Sequence, residues 1–408
     1  MVNSALATKF ELDSLDHKHN CPNCGSRGLH IFYEVRNVPV HSCLMMPSKK
    51  KALDFPCGDV VLGFCPECGF ITNVEFDANC SAYAPNYESQ QSYSPTFNKF
   101  AKFLADKWIE KYDLHDKDIV EIGCDKGDFL ILLCELGNNR GVGIDPSVVP
   151  GRVESEASDR VKFIREYYSK NHAEYVGNFI CCRHTLEHIQ NTKEFVQTVR
   201  DSIGDRTEIA FCLEIPDNTR VMQQMAFEDI YYEHCSYFSP GTLARLFRSC
   251  GFEVTDLYKE YGGQYLIVEA QPIAEQTSDK VHPFEESVAD VAADVKYFAQ
   301  NIQGKLQAWK DTLTQMKAEN QKVVVWGSGS KCVAFLTTLD TIDRIEYVVD
   351  INPNRHGQFI PGVGKEIMSP EFLKQYQPDK VIVMNEIYCD EIGKMMEEMG
   401  VSAELMTL

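Results

Sequence analysis

The stretch FEDIYYEHCSYFSP, residues 227–240, places an acid, a base and hydrogen-bond donors within a few positions of one another. Tyr231, Glu233 and His234 stand at a Tyr-x-Glu-His spacing. A histidine titrates near neutral pH and can take a proton from carbon, while a tyrosine can donate a hydrogen bond to a developing oxyanion. We predict His234 as a general base, Tyr231 as a donor and Glu233 as a group that orients an imidazole or binds the substrate. The alternative is an ordinary core edge, with buried rings and a solvated acid and histidine.

Four of the sixteen cysteines form two Cys-x-x-Cys-Gly knuckles. Cys21 and Cys24 belong to CPNCG, and Cys65 and Cys68 belong to CPECG. Two knuckles supply the four thiolates of a tetrahedral zinc site, and an all-sulfur site is structural because it leaves no open position. We predict a structural Zn²⁺ on these cysteines and expect the long spacer between the knuckles to fold out as a loop. The alternative is a pair of surface redox motifs.

A first glycine-rich turn follows the apolar strand of DIVEIGCDKGDFL, with Glu121, Gly123 and Gly127 in the pattern Glu-x-Gly-x-x-x-Gly. Glycines let the backbone approach a ligand, and Asp145 at the end of the next strand can accept both hydroxyls of a ribose. The spacing departs from the dinucleotide pattern, and Glu121 suits a cationic ligand. The turn therefore predicts S-adenosylmethionine, which carries a sulfonium. The alternative is a tight strand-helix turn with solvated acids.

Three further residues are predicted to contact this cofactor. Glu166 follows the third strand and is placed to meet the adenine amino group, with Tyr167 beside it. Tyr87 belongs to the Tyr- and Ser-rich stretch that precedes the first helix of this unit.

A second turn, Gly327-x-Gly329-x-x-Cys332, follows the strand KVVVW, and Asp350 ends the next strand. Lys331 beside the turn favours phosphate. Three interpretations stay open: a nucleotide or diphosphate contact, a structural Rossmann-like turn, or NAD binding. We predict that Gly327, Gly329 and Lys331 contact the substrate, since ligands prefer domain interfaces and the carboxyl ends of parallel strands.

Alternating apolar strands and helical segments must position these turns. The alternation predicts a parallel, doubly wound α/β sheet, followed by a long helix and a second alternating unit. The predicted division is a zinc-binding domain at 1–80, an S-adenosylmethionine-dependent methyltransferase domain at 81–271, a helical connector at 272–320 and a C-terminal Rossmann-like substrate-binding domain at 321–408.

Bulk composition narrows the class of protein. A chain of 408 residues, 44% hydrophobic and 25% charged, is typical of a globular protein with several domains. The net charge of −20 disfavours nucleic acid as a partner. No signal peptide and no membrane-spanning run is expected, so we predict a cytoplasmic protein that is a monomer or a weak homo-oligomer.

Taken together, the two cysteine knuckles, the Glu-Ile-Gly turn, HTLEHI, YYEH, YGGQYL and the C-terminal Gly-x-Gly unit resemble the three-domain sugar C-methyltransferases. The chain is similar to the enzyme that methylates carbon 3 of the nucleotide-linked sugar that becomes tetronitrose. In that family a zinc-binding domain precedes a class I methyltransferase domain, and a C-terminal domain helps to hold a thymidine-diphosphate sugar. The resemblance covers nearly the whole chain, but the segment 35–60 between the knuckles resembles that enzyme little.

The resemblance implies S-adenosylmethionine-dependent methylation of a carbon next to a ketone, with a nucleotide sugar as the small-molecule substrate. It also adds His188 of HTLEHI as an active-site histidine, which positions the acceptor or exchanges roles with His234. Two alternatives remain: an O- or N-methyltransferase on another small molecule, and a non-catalytic zinc-containing scaffold.

Overall fold

The computed structural model describes residues 15–80, 83–274 and 280–408. The first 14 residues of the predicted zinc-binding domain, residues 81 and 82, and residues 275–279 of the predicted connector lie outside the described residues. The described part of the chain contains three β-sheets, of five, seven and five strands.

The first sheet is built around the cysteine knuckles. Its elements before residue 80 are β1 (Leu15–Asn20), β2 (Arg27–Pro39), α1 (Lys49–Leu53), β3 (Cys57–Phe64) and β4 (Ile71–Asn73). The expected loop between the knuckles is wrong for about half of this spacer, which forms the antiparallel pair β2–β3, whereas residues 40–56 leave the sheet. The β-branched and aromatic residues of IFYEV and DVVLGF favour strands, which the long spacing alone does not reveal.

The second sheet carries the first glycine-rich turn. The elements of this region are α2 (Pro95–Tyr112), β5 (Asp118–Ile122), α3 (Asp128–Gly137), β6 (Arg140–Ile144), β7 (Val161–Ile164), β8 (Phe179–Arg183), α4 (Thr192–Ile203), β9 (Ala210–Pro216), α5 (Asn218–Gln224), β10 (Ser236–Tyr237), α6 (Pro240–Ser249), β11 (Phe252–Glu260) and β12 (Tyr265–Pro272). The strand order is β11-β12-β9-β8-β5-β6-β7. The alternating α/β pattern is confirmed.

A wholly parallel sheet is wrong at one edge, where β12 pairs antiparallel with both β9 and β11. Only a short turn joins β11 to β12, and a parallel pair needs a crossover of a dozen residues or more.

Strand β10 belongs to the first sheet, where it pairs with β4. The Tyr-x-Glu-His segment directly precedes β10 in the chain. The first sheet therefore holds the residues that follow this segment.

The third sheet is parallel throughout, as a Rossmann-like unit requires. Its region contains α7 (Val288–Ala318), β13 (Val323–Trp326), α8 (Ser330–Leu339), β14 (Tyr347–Val349), β15 (Ile367–Met368), α9 (Leu373–Tyr376), β16 (Lys380–Val383), α10 (Cys389–Met399) and β17 (Glu404–Thr407). The predicted long helix is α7. Among the described residues, no helix combines the length and apolar character needed to cross a bilayer.

One hydrophobic core joins the first sheet to the third region. Phe298 of α7 packs edge-on against Phe32 and Tyr33 of β2, with ring centroids 6.1 and 5.2 Å away. Phe227 stacks with Phe335 of α8 in the same core. Burial of such rings holds the first and third sheets together.

Candidate active site

A cavity of about 660 Å³ lies where the carboxyl ends of β5, β6, β8 and β13 face one another. All three sheet regions contribute to its wall. Its lining includes these residues predicted from sequence: Tyr87, Glu121, Gly123, Asp145, Tyr167, His188, Tyr231, His234, Gly327, Gly329 and Lys331. The structure thus brings both glycine-rich turns and the histidines to one compartment.

The first turn has the backbone that glycine allows. Gly123 adopts φ +73°, and a Cβ at this position would lie 1.9 Å from the Thr185 hydroxyl oxygen. Asp145 accepts hydrogen bonds from the backbone N–H of Asp125 at 3.0 Å and of Ser147 at 2.6 Å. Burial raises the pKa of the Asp145 carboxyl. Among the residues that the structure describes, backbone and hydroxyl donors contact this carboxylate, and no cationic side chain does.

Glu121 lies near the end of β5, just before this turn, and is buried, with 2% of its surface exposed. Its Oε2 atom has no hydrogen-bond partner. Burial raises the pKa of Glu121 to about 8, which the nearby Arg183 opposes. A group with this pKa is mostly protonated at pH 7, and a cationic ligand bound beside it would favour its charged form.

Two predicted cofactor residues do not reach the cavity. Gly127 adopts φ +92°, and a Cβ there would lie 2.4 Å from the Phe163 ring, so this glycine serves packing. Glu166 is exposed and forms an ion pair with His172 at 3.2 Å. The chain turns outward after β7 and carries this carboxylate away, while Tyr167 lines the cavity.

Tyr231 and His234 form a contact pair on the cavity wall. The Tyr231 hydroxyl lies 2.6 Å from Nε2 of His234. Burial, followed by the positive fields of His188, His184 and Lys331, lowers the pKa of His234 well below its usual value. The ring is neutral at pH 7, which differs from the expected near-neutral titration, because only 5% of this residue is exposed.

His188 stands beside this pair, with its ring centroid 4.9 Å from that of His234. Its Nδ1 lies 3.0 Å from the carbonyl oxygen of Glu233 and 2.8 Å from the hydroxyl of Tyr83. A carbonyl only accepts, so Nδ1 of His188 carries a proton. Tyr83 is a cavity residue that the sequence analysis missed, since nothing in its own segment points to a histidine 105 positions away.

The Glu233 side chain turns away from the cavity. Its Oε1 pairs with Nδ1 of His41 at 3.0 Å, and its Oε2 accepts from the backbone N–H of Ser42 at 2.7 Å. Burial raises the pKa of this carboxyl, but the hydrogen bonds from His41 and Ser42 and the fields of His41 and His188 together outweigh it, so that the net pKa is below its usual value. The predicted orientation of an imidazole therefore involves His41, and the Glu233 side chain does not line the cavity. The core-edge alternative is wrong in placing this acid and His234 in water.

A further histidine, His184, lines the cavity. Its Nε2 lies 2.8 Å from Glu214 and its Nδ1 lies 3.6 Å from Glu187. Burial lowers its pKa, but the two carboxylates outweigh burial and raise the pKa to about 9. The signal was present in the sequence, since HTLEH places both histidines and the acid on one turn.

Lys331 lies on α8 at the opposite wall. Its Nζ is 2.8 Å from Oδ2 of Asp229, which the guanidinium of Arg220 also contacts. Burial lowers the pKa of Lys331, and the field of Arg220 adds to this. Arg220 and Lys331 thus share the Asp229 carboxylate. The fields of Glu228 and Glu386 oppose the effect of burial, and the pKa of Lys331 falls to about 7.

The second glycine-rich turn does not leave its acid free. Asp350 accepts from the backbone N–H of Ser328 at 2.8 Å, and Arg355 lies 3.2 Å from the same carboxylate. Although burial raises its pKa, Arg355 leads the interactions that lower the pKa below its usual value. A carboxylate paired inside the protein is not available to a ribose. The geometry thus speaks against the NAD interpretation of this turn.

The two cysteine knuckles lie side by side, outside the cavity. The Sγ atoms are 3.7 Å apart for Cys21 and Cys68, and 3.7 Å apart for Cys24 and Cys65. All four lie within 4.8 Å of one another. A tetrahedron with Zn–S bonds of about 2.3 Å has edges of roughly 3.8 Å. The four sulfurs therefore fit a tetrahedral metal.

Comparison with protein families finds two models in succession along the chain. A methyltransferase domain matches residues 87–257, and a C-methyltransferase C-terminal domain matches residues 261–403. C-methyltransferase NovU of Streptomyces niveus is 27% identical over 311 residues, which cover 71% of this chain and 71% of that protein.

Solved structures of methyltransferases match part of the chain. Magnesium protoporphyrin IX methyltransferase ChlM from Synechocystis PCC 6803, with bound SAM, is 13% identical, with 44% of this chain and 80% of that chain covered and a TM-score of 0.33. The 1,6-didemethyltoxoflavin-N1-methyltransferase of Burkholderia thailandensis is 15% identical, with 42% and 78% covered and a TM-score of 0.30. Likenesses this low carry no conclusion about substrate.

The order of the two family models agrees with the cavity, whose walls come from both matched segments. The chain is therefore similar to C-methyltransferases over both matched segments and is an S-adenosylmethionine-dependent methyltransferase.

Proposed function

We propose that this enzyme methylates a carbon next to the ketone of a nucleotide-linked keto-deoxy sugar. The observation that carries the proposal is the single cavity that holds the Gly123 turn, the Tyr231–His234 pair and Lys331. The proposed cofactor site, the proton-handling groups and the amine of Lys331 thus open onto one compartment. The name of NovU as a C-methyltransferase supports transfer to carbon.

The cofactor is proposed to bind on the first turn. Asp145 would accept from the ribose hydroxyls, and the unpartnered Oε2 of Glu121 would receive positive charge from the amino-acid end. Bound S-adenosylmethionine supplies an electrophilic methyl on a sulfonium. Tyr87 and Tyr167 line the same compartment and complete the proposed contacts, whereas Glu166 would need to leave His172 to reach it.

His234 is proposed to remove the proton next to the ketone. Its lowered pKa keeps the ring neutral at pH 7. We assign the Nδ1–H tautomer, which leaves the lone pair on Nε2. In the free enzyme that lone pair accepts from the Tyr231 hydroxyl. When the ketone oxygen takes the Tyr231 hydrogen bond, Nε2 is released for the carbon-bound proton. The C–H electron pair becomes the enolate, the proton goes to Nε2, and the phenol stabilises the oxyanion.

His188 is proposed to position the acceptor rather than to start the reaction. Its Nδ1–H is committed to the Glu233 carbonyl, which fixes the ring. The other ring nitrogen is then unprotonated in the neutral form and can accept from a substrate hydroxyl. His188 remains the alternative base if His234 does not take the proton.

The nucleotide diphosphate is proposed to lie against Lys331, with Gly327 and Gly329 letting the phosphates approach. Gly327 adopts φ +102°, and the nearest side-chain atom to a Cβ there would be 3.5 Å away. Although the chain as a whole carries −20, a phosphate bound here would favour the protonated form of Lys331, whose pKa is about 7, and would add an anionic partner beside Arg220.

A structural Zn²⁺ is proposed on the two knuckles. Such sites contribute on the order of 10 kcal/mol or more to folding at neutral pH. Metal analysis should find one zinc per chain, and Cys65→Ser should release it and unfold the first sheet. Purified protein without zinc would contradict this proposal.

Proton exchange tests the proposed reaction without methyl transfer. The enzyme is incubated in D₂O with S-adenosylhomocysteine and a panel of keto and non-keto nucleotide sugars that are first ranked by thermal shift. Keto sugars should exchange the proton next to the carbonyl, and the matched alcohols should not. Catalysed methylation with no exchange at any carbon would favour an O- or N-methyltransferase instead.

A further inference from the structure

Residues 40–46, between β2 and α1, form a strap that leaves the first sheet and enters the active-site region. The strap belongs to the segment between the two knuckles. It contacts the second region through an isolated bridge between Leu44 and Tyr87, and the third through backbone hydrogen bonds between Met46 and Phe359. Cys43 of the strap lines the cavity. This segment is therefore part of the active-site wall.

His41 of the strap contacts residues 231–234, the turn that carries Tyr231 and His234, on the side away from the cavity. Its Nδ1 lies 3.0 Å from Oε1 of Glu233, and the backbone N–H of Ser42 holds the other carboxylate oxygen at 2.7 Å. Both side chains of the pair are almost fully buried, with 2% and 0% exposed. A carboxylate so enclosed must be paired, because an uncompensated buried charge is costly. The buried pair thus fixes the position of the Glu233 side chain, which an ion pair on the surface would not do.

Glu233 connects this buried pair to the reacting groups. It lies between Tyr231 and His234 in the chain, and the backbone N–H of His234 donates to the Tyr231 carbonyl at 3.1 Å. The Glu233 carbonyl is also the partner of Nδ1 of His188. Displacement of this one residue would therefore move both histidines and the tyrosine.

The first sheet also holds the other end of the turn. The backbone N–H of Asn73 and the hydroxyl of Thr72 donate to the carbonyl of Cys235, at 3.0 and 2.8 Å. The His41 ring further packs edge-on against the rings of Tyr83 and Tyr87, at 5.2 and 5.9 Å. The zinc-knuckle region thus contacts the turn at both of its ends and also contacts Tyr83 and Tyr87 opposite it.

We propose that His41 is a positioning residue for methyl transfer, through which the zinc-knuckle region sets the geometry of Tyr231, His234 and His188. His41 does not line the cavity and does not touch the reacting atoms. The role rests on the proposed assignment of the base, and its effect belongs to turnover rather than to binding. An N-terminal region whose metal is structural would then contribute directly to the rate.

Steady-state kinetics on the full-length enzyme provide the first test. His41→Leu removes the donor to Glu233 but keeps an apolar side chain, whereas His41→Asn keeps an amide nitrogen where Nδ1 lies. We expect His41→Leu to lower kcat about 10- to 100-fold, as misplacement of reacting groups does, with KM and cofactor affinity unchanged. His41→Asn should restore most of the rate. The exposed His19→Leu, in the same sheet, is the matched control and should behave as wild type.

A double variant separates positioning from a general loss of stability. If His41 acts through Glu233, His41→Leu combined with Glu233→Gln should lose no more rate than the worse single variant. Additive losses, or a wild-type kcat in His41→Leu, would overturn the proposal. If His41→Leu fails to bind S-adenosylmethionine, the rates of His41→Asn and His41→Gln decide, because the glutamine side chain places its nitrogen one bond further from the backbone. Equal rates for these two would contradict positioning.

Ring-nitrogen NMR keeps this test independent of the substrate. In histidine labelled with ¹⁵N, the Nε2 signal of His234 reports its hydrogen bond to Tyr231. His41→Leu should shift that signal and His41→Asn should not. An unchanged signal overturns the proposal even if no acceptor is found, and a shifted signal with no acceptor turned over would count only against the proposed function.

Discussion

The two glycine-rich turns of this enzyme share one plan and differ in the fate of one carboxylate. In each, an acid at the end of the next strand accepts from a backbone N–H of the turn, Asp125 to Asp145 at 3.0 Å and Ser328 to Asp350 at 2.8 Å. Each acid also accepts from the backbone two residues further on. The two turns are thus similar in hydrogen bonding.

Charge separates them. Burial raises the pKa of both acids. At Asp350 the guanidinium of Arg355, 3.2 Å away, leads the interactions that bring the pKa below its usual value. At Asp145 the pKa stays raised, and the nearby carboxylate of Asp125 adds to the effect of burial. An acid that the protein has already paired stabilises the fold, whereas an acid short of positive partners is available to a ligand. A strand, a glycine turn and a following acid therefore do not by themselves define a nucleotide site.

The largest effect is expected between the two turns, at His234. His234→Asn removes the proposed base and should lower methyl transfer by about 10²–10⁴-fold, as loss of a general base does. Both turns should keep their ligands, since the substitution leaves each intact. Kinetics and calorimetry on the same preparation check this. Loss of binding in parallel with rate would show that the residue belongs to a binding turn instead.

Asp350→Ala should lower the free energy of unfolding more than Asp145→Ala does. It leaves the buried Arg355 without its charge partner, which typically costs about 3–5 kcal/mol. Denaturant unfolding measures this loss, and Asp350→Asn, which keeps the hydrogen bond to Ser328 possible, is the control for shape. An unfolding free energy equal to wild type in the alanine variant would mean that the pairing is not structural.

Asp145→Ala should act on the cofactor instead. Hydrogen bonds to a charged acceptor contribute about 1.5–3 kcal/mol each, so affinity for S-adenosylmethionine should fall at least about tenfold. Calorimetry on Asp145→Ala and Asp350→Ala side by side sharpens the comparison, because only the first should lose affinity. Equal affinities in the two variants would place the cofactor elsewhere.

Lys331→Ala should have the smallest effect, confined to the acceptor. Removal of one charge-assisted contact to phosphate should raise the KM for the nucleotide sugar roughly tenfold and change kcat less. Lys305→Ala, on α7, where the lysine contacts the Gln224 carbonyl, is a control outside the cavity lining. A KM unchanged by Lys331→Ala would remove the phosphates from this turn.

The sequence was most informative where function depends on local spacing. The knuckles, the Gly123 turn and the acid of the next strand are each set by residues a few positions apart, so their types could be predicted. The sequence also predicted the alternating α/β units, because periodic apolar residues are a local signal. The division into domains and the roles of the site residues stay predictions.

Contacts across long separations could not be predicted in this way. The partner of Glu233 is His41, 192 positions earlier, and it lies in the segment that least resembles the related enzyme. Glu166 shows the opposite error. Its position after β7 is correct, but the chain turns outward there and the side chain contacts His172 instead of lining the cavity. Burial likewise lowered the pKa of His234, which residue type alone does not indicate.

The central claim is that a carbon of the acceptor receives the methyl group. Its most direct test is NMR of the product formed from S-adenosylmethionine with a ¹³C-labelled methyl group and a nucleotide-linked keto sugar. We predict that the labelled carbon is bonded to a ring carbon next to the carbonyl, and that His234→Asn forms almost none of this product. A labelled methyl on oxygen or nitrogen would contradict the account.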